Sequence, residues 1–291
     1  MLWTFCADGL HAQRWNRYRK EFAVYAGASG ILSDLGGGKG QGSRYGDFQP
    51  ETTSEESYAL GVSFKYRIHN NMALKANVFF AQLVADDKTT ENLGRRLRNL
   101  DVKTGIVEFS GQYEFYLIRE RIGNRYKLKN VRGYGSNHFS WYLFAGVGGI
   151  YYNPMGSTQG GDYVNLAPLN TEGQGLEGGP KDYSQFALII PFGSGVKYNI
   201  NHLIGVQFEL SMRLTSTDYL DDVSSTYYDG EKLVENFGEL SKEMADKRYW
   251  NPNRHSEGGI RGKADQKDVY MYATLGLTYR WRSRAKSRVR L

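Results

Sequence analysis

Residues 185–217 read QFALIIPFGSGVKYNINHLIGVQFELSMRLTST, and their spacing decides the fold. In the first arm one parity holds Phe186, Leu188, Ile190, Phe192, Val196 and Tyr198. The other holds Gln185, Ala187, Pro191, Gly193, Gly195 and Lys197, with Ile189 its one large apolar member. In the second arm Ile204, Val206, Phe208, Leu210, Met212 and Leu214 alternate with Gly205, Gln207, Glu209, Ser211, Arg213 and Thr215. A period of two sustained over this length belongs to strands and not to helices. The join, Asn199-Ile200-Asn201-His202, predicts a tight turn, because Asn tolerates the left-handed backbone such turns require.

Both arms exceed the roughly five or six residues of an ordinary globular strand. A tilted strand crosses a bilayer in about ten. One face of the hairpin is apolar and aromatic. The other mixes glycine with Lys197, Glu209 and Arg213. A membrane barrel accommodates both faces, with lipid against the first and a narrow lumen against the second.

Composition agrees. The chain has 291 residues, with 35 glycines, 22 tyrosines and only 6 prolines. No run of about 18 apolar residues is present, so the sequence predicts no transmembrane helix. A low mean hydropathy fits a barrel, where half of each strand and all of each loop are polar. The single cysteine, Cys6, excludes a disulfide framework. Residues 1–13 resemble the end of a secretory leader, with Leu2, Trp3 and Phe5 before Ala7 and then Leu10-His11-Ala12. The net charge of +6 equals the six bases Arg280, Arg282, Arg284, Lys286, Arg288 and Arg290, which leaves residues 1–279 near neutrality. The organisation expected is a leader over 1–13, a basic lead-in over 14–20, a barrel over 21–282 and a basic tail over 283–291.

The alternation predicts eight strands, over 21–33, 58–68, 72–84, 104–118, 139–152, the two arms of the opening hairpin, and 268–281. In the second, Leu60, Val62, Phe64, Tyr66 and Ile68 oppose Gly61, Ser63, Lys65 and Arg67. In the third, Leu74, Ala76, Val78 and Phe80 oppose Lys75 and Asn77. In the fourth, Val107, Phe109, Tyr113, Phe115 and Leu117 oppose Glu108, Ser110, Gln112 and Glu114. An even strand number puts both termini on one side, with the turns 69–71, 119–137 and 199–202. The other side receives four long loops, 34–57, 86–103, 154–182 and 218–267. This is the bacterial outer-membrane pattern, with both termini periplasmic and the long loops outside.

Charge sorts with the two sides. Arg119, Arg121, Arg125, Lys127, Lys129 and Arg132 oppose Glu120 alone in the long periplasmic turn, a surface for an acidic partner or anionic headgroups. The long loops are acidic on balance. Pairs such as Trp141-Tyr142, Tyr151-Tyr152 and Tyr279 with Trp281, together with Tyr198 and Tyr219, suit the bilayer interfaces. Leu233, Phe237, Leu240 and Met244 predict one short amphipathic helix packed on the barrel's own rim. Asp218, Asp221 and Asp222 offer oxygens to a hard cation, but no calcium-loop spacing completes the site, and a surface turn is the reading adopted. Arg95-Arg96-Leu97-Arg98 reads as a solvated face able to meet lipopolysaccharide phosphates. His255 beside Ser256 is the one hint of a hydrolase, and no nucleophile elbow or carboxylate completes it. The sequence therefore predicts no catalytic residue, metal, cofactor or nucleic-acid partner.

Several stretches are more specific than barrel physics demands. They are Leu143-Phe144-Ala145-Gly146-Val147-Gly148, Tyr151-Tyr152-Asn153-Pro154 and residues 166–175, LAPLNTEGQG, which contain Glu172, Gly173, Gln174 and Gly175. They continue with Ile190-Pro191-Phe192-Gly193, Gly195-Val196-Lys197-Tyr198, and residues 217–227, TDYLDDVSSTY, with Asp218, Tyr219, Asp221 and Asp222. Together, over about 21–281, these resemble the PorG family of outer-membrane barrels of the type IX secretion system. The resemblance implies an eight-stranded, non-enzymatic barrel associated with the periplasmic ring of PorK and PorN, in a machine that also serves gliding in some relatives. It supplies no match for the basic tail. The alternatives are a stand-alone small barrel of the OmpA or OmpX kind, serving adhesion or passive permeation, and an outer-membrane lipid hydrolase. Eight strands leave an interior filled by side chains, so Glu108, Glu114, Glu209, Arg213, Lys65 and Lys75 are expected to pair inside.

Overall fold

The computed structural model of the chain describes residues 18–35, 56–89, 93–120, 137–248, 258–264 and 266–281. Eight long strands form the wall: β1 Lys20–Leu32, β2 Tyr58–His69, β3 Met72–Asp86, β4 Asp101–Ile118, β5 Phe139–Ser157, β7 Phe186–Asn199, β8 Ile204–Thr215 and β9 Val269–Trp281. The short β6, Tyr163–Asn165, pairs with the end of β5 and stands outside the ring. Neighbours in the ring are antiparallel, and two pairings close it. β4 joins β5, and β1 joins β9 from Lys20↔Trp281 to Leu32↔Val269. The result is a closed eight-stranded antiparallel transmembrane barrel, the fold class expected from alternation alone.

Register follows the side-chain pattern. In the opening hairpin Val196 faces Phe208 and Lys197 faces Gln207, so apolar meets apolar on one surface and polar meets polar on the other. Asn201 makes the turn, its Oδ1 accepting the backbone N–H groups of Leu203 and Ile204 at 2.8 Å each. Leu60, Val62, Phe64, Leu74, Phe80, Phe109, Leu143, Leu188, Leu210 and Leu275 all face outward and are exposed. A contiguous exposed apolar surface on this scale requires an apolar phase against it. On β4 the outward series from Val107 to Leu117, at about 3.3 Å per residue and a tilt near 40°, covers roughly 25 Å along the barrel axis, the height of a bilayer's apolar band. No helix of the described residues is long and apolar enough to cross a membrane.

The strand ends correct the reading of the aromatic pairs. Trp141 and Tyr151 face out, while Tyr142 and Tyr152 are fully buried in the lumen, because adjacent strand residues point to opposite faces. Tyr219 lies in a loop and stacks on Tyr183, with ring centroids 4.3 Å apart, instead of meeting lipid. Outward Ser194 is satisfied on the lipid face, where it accepts Trp141 Nε1–H at 2.9 Å.

The long connections carry α1 Leu93–Arg98, α2 Gly230–Phe237 and α3 Glu239–Ala245. The single helix expected over 233–244 is thus two, split at Gly238, whose φ of 91° is left-handed backbone that favours glycine. Leu233 and Met244 are buried, but Leu240 is exposed. Ser241 Oγ donates to Leu169 O at 2.6 Å, so the helices do pack on the barrel's own loops.

The lipid-facing assignment has a direct consequence. Leu210→Arg puts a charge on the apolar band, and refolding into bilayers is expected to lose about 2–4 kcal/mol. Leu210→Ile, which keeps that face apolar, is expected to lose little by comparison. Equal losses would contradict the assignment.

Candidate functional site

Charged side chains fill the lumen toward the end carrying the chain termini. Glu120 forms an ion pair with Arg67 Nη2 at 2.9 Å and accepts from Arg280 Nη2 at 2.7 Å. Arg280 Nε reaches Glu21 at 2.6 Å, and Glu21 also meets Lys65 at 3.4 Å and Lys197. Lys65 continues to Glu114 at 3.0 Å, Glu114 to Lys75 at 3.3 Å, and Lys75 to Glu209 at 2.7 Å. Signs alternate along the whole path. Tyr142 donates to Glu209 at 2.6 Å, so with Lys197 and Tyr142 every strand of the ring contributes a member. Gly195 makes room for Tyr142, since a Cβ there would stand inside van der Waals distance of its ring.

Above this ladder Arg213 Nε donates to Glu108 at 3.0 Å, and the guanidinium carbon lies 3.8 Å from the Tyr272 ring centroid. Higher still Leu83, Ile106, Ile150 and Ile189 form an apolar layer completed by Leu220, a loop residue turned down into the mouth. The Leu220 carbonyl accepts Thr104 Oγ1–H at 2.5 Å, which fixes it there. The lumen pairing expected from sequence is present, with Glu21, Lys197, Arg67, Arg280 and Glu120 added to it.

Over that layer the four long connections knot into a polar cap. Glu172 accepts the N–H groups of Ser224 at 2.9 Å and Ser225 at 3.0 Å, Ser225 Oγ–H at 2.6 Å and Arg261 Nη1–H at 2.9 Å. Asp222 accepts from Thr171 at 2.5 Å and Tyr183 at 2.6 Å, with Arg261 Nη2 3.8 Å away. Asp218 accepts Ser224 Oγ–H at 2.8 Å, and Asp221 accepts the N–H groups of Asp34 and Val223. Arg98 ties in the β3–β4 connection, donating to Asp87 at 2.7 Å, Asp34 O at 2.8 Å and Arg261 O at 2.6 Å. Gly173 turns at φ 72°, with Tyr228 packed where a side chain would go.

Asp218, Asp221 and Asp222 are therefore buried, which overturns the surface-turn reading. Arg98 is likewise turned inward, while Arg96 keeps the exposed position expected of that run. The structure brings Glu172, Gly173, Gln174, Asp218, Asp221 and Asp222 into one cap. Gly175 continues the same turn, its N–H bonded to Pro180 O at 2.9 Å, and Tyr219 stacks beside it. Pro191, Phe192 and Gly193 lie apart, on β7. Arg261 is the residue the sequence did not single out, because its partners stand 39 and 89 positions away.

At the opposite end Arg119 donates to Asn71 Oδ1 at 3.1 Å. Burial opposes ionisation of Glu120, but Arg280 and Arg67 outweigh it and hold the carboxyl down at about 2. Arg121, Arg125, Lys127, Lys129, Arg132, residues 1–13 expected as a leader, His255, Ser256 and residues from 282 on lie outside the described residues. Among the described residues no group of His, Cys, Asp and Glu is set to hold a metal ion.

No protein-family model matches the chain, and no curated protein matches it in sequence. Among solved structures it is similar to Ail, the attachment invasion locus protein of Yersinia pestis, solved with the heparin analogue sucrose octasulfate. Identity is 10%, the TM-score is 0.40, and the match covers 91% of this chain and 99% of that one. It is also similar to neisserial surface protein A, with 10% identity, a TM-score of 0.38 and coverage of 90% and 97%. OprG of Pseudomonas aeruginosa shares 12% identity at a TM-score of 0.31 over 90% and 97%. Likenesses of this size carry no argument about function.

Two outcomes test the cap. Arg261→Ala leaves Glu172 and Asp222 buried without their cation and is expected to cost about 3–5 kcal/mol of cap stability. Burial, and next the nearby Asp34 carboxylate, pushes the Asp221 carboxyl up to about 7, against about 3.9 in an open chain. The closed cap then holds the extra proton, so its stability falls as pH rises from about 4 to about 7 and levels off above. Asp221→Asn should flatten that slope in hydrogen exchange at Ser224 and Ser225, corrected for intrinsic rates. An unchanged slope would refute the assignment.

Proposed function

We propose that this chain is a non-enzymatic outer-membrane barrel of the type IX protein secretion machinery, anchoring or positioning the periplasmic ring of PorK and PorN. The observation that carries the reading is the closed lumen. Ion pairs cross it, an apolar layer lies above them, and a knotted cap covers that layer. Such a barrel offers partners its two ends and its outer wall, and no passage for a protein. Support also comes from the resemblance itself, because six of its residues, scattered between 172 and 222, converge on one buried cap.

Orientation follows the loop lengths, with termini and short turns periplasmic. The ring-facing surface is then the turn 119–137. Its base is fixed to the barrel by Arg119 on Asn71 and by Glu120 on Arg67 and Arg280. Screened Coulomb attraction draws an acidic partner surface to the bases beyond that base. The second reading is a stand-alone barrel of the OmpA or OmpX kind, acting by adhesion. It is favoured by the tall β4–β5 wall, whose outward residues turn polar at Lys103, Asp101 and Asn153 and carry β6 beside them.

Pull-down of the tagged protein from its native outer membrane in mild detergent separates the two. Ring lipoproteins are expected to co-purify. Replacing Arg121, Arg125, Lys127 and Lys129 with glutamate should release them while the barrel stays folded. Retained ring proteins would reject the basic turn as the contact, and a clean monomer from the unaltered chain would reject the secretion role.

A further inference from the structure

β1 opens on Lys20, which alternation places on the outward face with Phe22, Val24 and Ala26. Its register partners are Tyr66 on β2 and Trp281 on β9, so it stands on the seam where the first and last strands close the ring. Lys20 is exposed, and among the described residues its ammonium has no hydrogen-bond or ion-pair partner. Arg19 reaches the same spot, its Nη1 donating to the Tyr66 hydroxyl at 3.3 Å. Trp281 leans across β1, its ring centroid 6.0 Å from that of Phe64 on β2. Phe22 lies in register between Phe64 and Tyr279, so an aromatic shelf separates the two bases from the middle of the membrane.

The polar groups that meet here are donors. Lys20 offers an ammonium, Arg19 a guanidinium and Trp281 its Nε1–H, and the Tyr66 hydroxyl keeps its own proton after accepting from Arg19. No carboxylate offsets them. Among the described residues of this end the acids are Glu21 and Glu120, and both are buried in the lumen against Lys65, Lys197, Arg67 and Arg280. Residues 10–20, 68–72, 199–203 and 281–291 contain no acid, and 119–137 contain Glu120 alone. Two positive charges therefore lie on the outer wall at one spot, with donors beside them and no acid to neutralise them.

Depth decides what lies against them. Lys20 is two residues beyond Phe22, the last outward apolar residue of β1. At about 3.3 Å per residue and a tilt near 40°, it stands roughly 5 Å outside the apolar band. A phospholipid headgroup layer is about 5–8 Å deep, so the ammonium on its flexible stem lies at the depth of the phosphates. Water alone would make no use of the aromatic shelf. An acidic protein surface would have to reach down the wall into the headgroups. A zwitterionic headgroup would bring a further cation against the two bases. An anionic phospholipid sets its phosphate among the donors and its acyl chains on Phe22 and Phe64.

We propose that the β9–β1–β2 seam binds one anionic phospholipid, with Lys20 and Arg19 on the phosphate and Tyr66 and Trp281 donating to headgroup oxygens. The acyl chains lie along Phe22, Phe64 and Tyr279. With the termini periplasmic, this lipid belongs to the inner leaflet. The class of ligand depends neither on that orientation nor on the secretion role. Each base beside an anionic headgroup contributes about five-fold in affinity. The bound lipid touches the first strand and both of its neighbours, and so braces the pairing that closes the ring.

The full chain, folded in a neutral detergent, is titrated with phosphatidylglycerol and separately with phosphatidylcholine, and bound lipid is counted by mass spectrometry of the intact complex. One phosphatidylglycerol per barrel is expected to be held at least about tenfold more tightly than phosphatidylcholine, from two charge-assisted contacts. Lys20→Gln should weaken it about five-fold. The double variant Arg19→Gln/Lys20→Gln should erase the preference, while Lys232→Gln on α2 leaves it unchanged. Both replaced bases act on the outer wall, so the lumen ladder stays intact, and each variant is checked for folding by heat-modifiable migration in gels. Equal retention of the two lipids by the unaltered chain would overturn the proposal, as would a preference that survives in the double variant. Loss of co-purifying proteins from the double variant, with its lipid preference unchanged, would make the bases a protein contact and overturn it as well. Lipid binding is read on the purified chain, so its failure and that of the secretion role are distinguishable.

Discussion

Glu114 shares its carboxylate between Lys65 and Lys75 in the middle of the lumen, and the rest of the barrel is arranged around that contact. An eight-stranded ring is too narrow to keep a water channel, so its inward residues must fill the space. Inward charges lose their hydration, at an effective cost of several kcal/mol each, unless an opposite charge replaces the water. The chain meets this with an unbroken acid–base alternation from Glu120 to Glu209. Because each strand of the ring supplies a member, displacing a strand leaves a buried charge or hydrogen bond without its partner. The ladder thus specifies which strand lies beside which, while the outward apolar residues, interchangeable to lipid, specify only that the ring is immersed.

The cap extends the same logic into irregular backbone. Loops have no ladder to satisfy their amides, so buried loop segments need side-chain acceptors. Glu172 fills that role for Ser224 and Ser225, and Asp221 for Asp34 and Val223. Arg261 then balances the acids. Leu220 and Val223, two residues either side of this polar knot, reach down to the apolar layers and seat the cap on the barrel. Polar closure above and ionic closure below make a rigid, sealed body. Such a body suits a scaffold whose work is done at its surfaces.

The strands were legible because alternation is a local signal. Lys65, Lys75, Glu108, Glu114, Glu209 and Arg213 could be assigned to the lumen from parity alone. Where adjacency was read in place of parity, as at Tyr142 and Tyr152, the assignment failed. The cap was not legible for a different reason. Asp218, Asp221 and Asp222 look like a hydrated acidic turn until Arg261, Thr171 and Tyr183 arrive from distant segments, and no period announces their meeting. The break at Gly238 was hidden because apolar spacing continues across it while the backbone does not. The resemblance pointed at the cap residues without saying what they do. The structure supplies a physical reason for them, which is burial of segments from four loops over the mouth.

Sealing is the claim on which the account turns, and conductance tests it most directly. The purified barrel, reconstituted in planar bilayers at neutral pH and moderate salt, is expected to give no steady open level, because the ladder and the apolar layer both lie across the path. A persistent ion-conducting state from the unaltered, folded chain would contradict the account.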